Sequence, residues 1–98
     1  MTAIAVVGMA CRYRHAGLWR LLGRESGEDA NTAAARVWAA IECLQKAELP
    51  ADAPLVLDGS AGPDWILLRS GRFRIGTFAT EVRTVAGPVV FAVLVEEG

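Results

Sequence analysis

Few side chains in this chain stand where chemistry could be assembled, and each stands without the rest of its set. Cys11 is flanked by Arg12, Arg14 and His15, and neighbouring positive charge lowers a thiol pKa and favours the nucleophilic thiolate. No second motif supports that use, so an inert thiol is the expectation. His15 is the sole histidine. A metal site would therefore need an unusual carboxylate or cysteine set, and no such spacing occurs. Ser60 lies in Gly59-Ser-Ala-Gly62, close to a nucleophile elbow, but GxSxG is absent and the lone His has no orienting carboxylate. Turn chemistry accounts for it better. Gly8, in Val7-Gly8-Met9-Ala10-Cys11-Arg12, belongs to neither GxGxxG nor GxxxxGKS/T. The reading is of a chain with no catalytic residue, no cofactor-binding residue and no metal ligand, and hence not an enzyme.

Arg69, Arg72 and Arg74, with Phe73 between two of them, form a local basic cluster. Basic residues interleaved with an aromatic suit an anion or a nucleic-acid strand. They equally suit a solvated strand face that resists edge pairing, which is the expected role.

These residues must be positioned by a small set of elements. The apolar run Pro88-Val-Val-Phe-Ala-Val-Leu-Val95 reads as a central strand covered on both faces, because neither alternate set suits water. Ile4–Cys11 is a second apolar run, expected to be an interior strand beside the first. Leu18-Trp-Arg-Leu-Leu22 is either a helix, with Leu18, Leu21 and Leu22 at i, i+3 and i+4, or a strand closing a hairpin. Thr32–Leu49 is the most secure element: alanine-rich, with Val37, Ile41 and Leu44 at helical spacing and Glu42 four residues before Lys46. Asn31 is its expected N-cap and Pro50 its stop. After Pro54 short apolar runs alternate with turn residues: Leu55–Leu57, Trp65–Leu68, then Arg72 onward. In the last of these the apolar set shifts phase after Gly76, which predicts a bulge there.

The fold class expected is therefore α+β in a single domain over 1–98. An antiparallel or mixed sheet of about five strands carries one main helix, about 32–49, on one face. With 98 residues, 53% of them hydrophobic and 21% charged, the chain can bury a core and is not disordered. Net charge is −1, which gives no general attraction to nucleic acid or an anionic membrane. No apolar run is long enough to span a bilayer. Two cysteines, Cys11 and Cys43, make no disulfide framework. The N-terminus has no basic segment ahead of its apolar run, so free thiols in a cytoplasm are expected.

A chain this apolar has more hydrophobic surface than one helix over a sheet covers, so a homodimer is expected. The small-residue helix face of Ala40, Cys43 and Ala47 is the expected contact, since a second helix could approach closely there.

Ile4-Ala-Val-Val-Gly-Met-Ala-Cys-Arg-Tyr13 followed by Leu18-Trp-Arg-Leu-Leu22 resembles the opening of β-ketoacyl synthase domains of modular polyketide synthases. Those domains begin I-A-I/V-V-G-M-A-C-R-F/Y, continue through a Pro-Gly-rich loop, and enter a helix written L-W-x-L-L. The resemblance spans residues 4–22. The loop Arg14-His-Ala-Gly17 is shorter here and lacks the proline. The resemblance implies that the family's nucleophilic cysteine and catalytic histidines would fall beyond residue 98, and that Cys11 is not that nucleophile. The layout of strands around a helix is also similar to roadblock and longin-like dimeric scaffolds, without the helix that precedes their first strand. The functional expectation is a non-catalytic interaction or scaffold module, dimeric or with a protein partner. The alternative is a catalytically empty ketosynthase-derived accessory of polyketide or fatty-acid assembly.

Overall fold

A computed structural model describes residues 2–7, 16–50, 53–62, 64–81, 83 and 87–97. Strand β1 (Thr2–Val7) is followed by helices α1 (Ala16–Ser26) and α2 (Ala30–Lys46) and by strands β2 (Val56–Ser60), β3 (Trp65–Ser70), β4 (Phe73–Glu81) and β5 (Pro88–Glu96). All four pairings are antiparallel, in the order β1-β5-β4-β3-β2. This is the expected α+β class, with a second helix beside the main one.

Residues 18–22 resolve as helix. The leucine spacing fits that choice, with Leu22 fully buried and Leu18 packed on the core. Gly27, at φ 74°, ends α1 in the left-handed conformation that glycine adopts without strain, and its N–H caps the Gly23 carbonyl at 2.9 Å. Helix α2 starts two residues earlier than expected. Asp29, not Asn31, is the N-cap, its Oδ1 accepting from the Thr32 N–H at 2.7 Å. The helix ends at Lys46, short of Pro50, with Glu48 turning the chain at φ 67°.

Two strand expectations are corrected. β5 is interior and pairs with β1, from Thr2 opposite Leu94 to Val7 opposite Val89, but β1 has no second neighbour among the described strands and forms an edge of their sheet. The rest of the expected Ile4–Cys11 strand lies outside the described residues. There is no bulge at Gly76: β4 keeps one register against β3 and β5 through its whole length. The irregularity falls instead in β2, between Leu57 and Gly59.

Alternation along the unbroken strands divides the sheet into two faces. The inner face presents Ile66, Leu68, Ile75, Val90, Ala92 and Leu94, all buried beneath the two helices in one core with Leu22, Val37, Ala40, Ile41 and Leu44. Among the described residues, no helix packs on the other face, which is open at Phe91 and Val95 and closed at Val89. Among the described residues, no helix is long and apolar enough to cross a membrane.

Candidate functional site

The expected dimer face is in the wrong place. Ala40 and Cys43 have no exposed surface, and Ala47 packs against the core. Cys43 Sγ donates to the Ala92 carbonyl on β5 at 3.6 Å, so the small-residue stripe lets the helix approach its own sheet rather than another helix. Burial, reinforced by Glu42, pushes the Cys43 thiol up to about 11, the opposite of what a nucleophile needs.

The basic cluster is neutralised in place. Arg69 pairs with Glu97 at 2.7 Å and Asp58 at 3.4 Å, Arg74 with Asp58 at 3.3 Å and Glu97 at 3.4 Å, and Arg72 with Glu96 at 3.0 Å. Three arginines thus meet three acids brought by β2 and the end of β5, which leaves little positive field for an anion. Ser60 is exposed at the end of β2. Gly8, Cys11 and His15 lie outside the described residues. No group of three or more His, Cys, Asp and Glu that could hold a metal occurs among the described residues.

Arg36 stands one helical turn before Ala40 on α2 and has a task of its own. Its side chain is only 3% exposed. Nε donates to Glu28 Oε1 at 2.7 Å, and Nη1 donates to the carbonyls of Thr77 at 2.6 Å and Asp64 at 3.1 Å. A buried guanidinium is tolerated only with such partners. Beside it, a cleft of about 410 Å³ lies between α1 and the β2–β3 hairpin, with Leu22, Leu57, Trp65 and Ile66 among its walls. The cation at its floor is already engaged by protein acceptors, and its work is to hold α2 to the sheet.

The helix-free sheet face, exposed at Phe91 and Val95, is the feature that sequence reasoning missed. Trp65, Phe78 and Phe91 are direct cross-strand partners on β3, β4 and β5, and the Trp65 and Phe78 rings lie 5.2 Å apart between centroids. The adjoining row is Leu67, Gly76 and Val93. A side chain at Gly76 would begin 3.2 Å from the Trp65 ring, so glycine here lets the indole lie down over β4. The third row is Arg69, Arg74 and Val95, where the ion pairs gather. Phe91 is 43% and Val95 44% exposed, against the expectation that both faces of β5 are covered. An antiparallel sheet with one face in water usually places polar residues there; this one places aromatics and aliphatics. The one sequence signal was the unbroken apolar run of β5 itself, which demands cover on both faces.

Comparison with family models, with curated proteins and with solved structures finds no match for this chain.

Proposed function

We propose that the chain is a non-catalytic interaction module whose contact surface is the helix-free face of the sheet. The observation that carries this reading is the cross-strand row Trp65, Phe78 and Phe91, flanked by Leu67, Val93 and Val95. Contiguous apolar surface rimmed by polar groups is the usual mark of a protein contact, and aromatic residues dominate the energetics of such contacts. The non-catalytic half of the reading rests on the sequence, where no nucleophile, base and orienting group share a motif. Phe91→Glu should weaken the association of the protein by at least about tenfold in Kd while leaving its circular dichroism unchanged. Association unaffected by that substitution would overturn the reading.

A second reading, as a ketosynthase-derived accessory of polyketide or fatty-acid assembly, is supported by the match over residues 4–13 and by the helical state of Leu18–Leu22. It predicts synthase and carrier-protein genes beside the gene for this chain. Their absence from that neighbourhood would remove it.

A further inference from the structure

We infer that the occupant of the helix-free sheet face is a second copy of this chain, packed face to face as an isologous two-fold dimer. The inference rests on the interaction-surface reading above and names the partner of that same surface. Three observations select a second copy.

The first is charge. Arg69, Arg72 and Arg74 are balanced by Asp58, Glu96 and Glu97, so this end of the face carries no net charge. A polyanion or an anionic membrane gains nothing from such a surface, whereas an identical neutral surface meets no repulsion.

The second is area. Strands lie about 4.8 Å apart and rise about 3.3 Å per residue, so the four strands β2–β5 over roughly six residues present a face of roughly 400 Å² in projection. Two such faces covering each other remove roughly 800 Å² from water, the low end of interface sizes, which suits a dimer that forms only as concentration rises.

The third is the arrangement of rows. Aromatics occupy one row, small and aliphatic residues the next, and ion pairs the third. A two-fold axis running along the aromatic row, across the strands, stacks Trp65, Phe78 and Phe91 on their own copies. It also carries each copy's Arg69 and Arg74 outward to opposite rims. That yields an apolar centre and a polar, solvated edge, the anatomy of a stable contact. The flat seat of Trp65 over Gly76 keeps the surface level, so the sheets can reach the roughly 10 Å separation of a sandwich.

The test joins sedimentation velocity, from low micromolar to hundreds of micromolar protein, with oxidative footprinting of Trp65 and Phe91 at both ends of that range. The expected result is a monomer that becomes a dimer with concentration, with both side chains modified in dilute protein and protected in concentrated protein. Phe91→Glu and Phe91→Lys should each weaken the dimer by at least about tenfold, and Gln45→Glu, exposed on α2 on the opposite side of the sheet, should leave it intact. Two variants of opposite charge guard against one that merely fails to fold, and circular dichroism checks each. A chain that stays monomeric with Phe91 open at every concentration overturns the second copy and leaves the surface to another partner. A dimer that survives both Phe91 variants, or in which Phe91 stays open, overturns the inference and the interaction-surface reading together. So does a monomer in which Trp65 and Phe91 are protected at every concentration, since the chain would then cover its own face.

Discussion

The Nη1 atom of Arg36 donates to the backbone carbonyl of Thr77 across 2.6 Å, and the Thr77 hydroxyl donates in turn to the Ile66 carbonyl at 2.9 Å. One guanidinium from α2 thereby touches β4, and through Thr77 it reaches β3, inside an otherwise apolar layer. Polar groups so placed are costly unless all are satisfied, and removing one leaves the others stranded. Arg36→Met should therefore destabilise the protein by about 3–5 kcal/mol, read as a lower midpoint in urea. Glu28→Gln should cost less, because the carbonyl acceptors remain. A loss below about 1 kcal/mol for Arg36→Met, within the range of ordinary surface substitutions and exposed ion pairs, would show that the network contributes little.

Asp29 caps α2. Hydrogen bonds from the Thr32 backbone N–H and side chain hold its carboxyl below the usual 3.8. Those bonds favour the charged form, so the cap is complete above 3.8 and fades as pH falls through the lower folded value. Asp29→Ala should cost about 0.5–2 kcal/mol at neutral pH, and the difference from wild type should shrink in acid. Asp29→Asn should retain most of the stability, since its carbonyl can cap in the same way. A cost for Asp29→Ala that persists unchanged in acid would place the effect elsewhere.

Cys43 makes the reverse prediction at high pH. Its thiol ionises near 9.0 when free and is pushed up to about 11 in the folded chain. Between those values the unfolded state has released the proton and the folded state still holds it, so stability falls as pH rises through that window. The full effect is roughly 2–3 kcal/mol. Urea titrations above neutral pH should show this decline in wild type and lose most of it in Cys43→Ala. At neutral pH an alkylating reagent should reach Cys43 only after denaturant is added.

The arginine cluster gives a prediction about partners. Wild type should pass through an immobilised polyanion at moderate salt, because Asp58, Glu96 and Glu97 already occupy Arg69, Arg72 and Arg74. Asp58→Asn combined with Glu97→Gln should unmask Arg69 and Arg74 and produce retention that added salt reverses. These pairs are exposed, so stability should change by less than about 1 kcal/mol. Salt-reversible retention of wild type would restore the anion patch.

The α+β class and the main helix were legible because Val37, Ile41 and Leu44 repeat at the helical period and β5 is too apolar to lie anywhere but in the sheet. The start of α2 was not, because Asp29 and Asn31 are both good caps and only tertiary packing chooses between them. The phase of β4 misled for a more informative reason. Binary patterning sends Phe78 inward and Thr77 outward. The structure does the reverse, with Thr77 buried on Arg36 and Phe78 out beside Trp65. The bulge was inferred to rescue a pattern that the chain breaks on purpose to make its outer face apolar. Local rules that fail in this way tend to fail at working surfaces. The helix stripe misled through ambiguity, since small residues permit close approach to a sheet as readily as to a second helix.

The pairing of β1 with β5 has a consequence for synthesis. β1 is made before the other described elements, and its only sheet neighbour among the described strands is made after them. Until Pro88–Glu96 is made, the meander of β2, β3 and β4 can form next to the helices, but β1 has no ladder to join, and β4 has one bare edge. Completion of this sheet thus waits for the synthesis of β5, through contacts between strands more than 80 residues apart, which close slowly. A nascent chain stalled just short of β5 would present two unpaired strand edges and an apolar sheet face at once, the state in which a chaperone or another nascent copy competes most effectively for it.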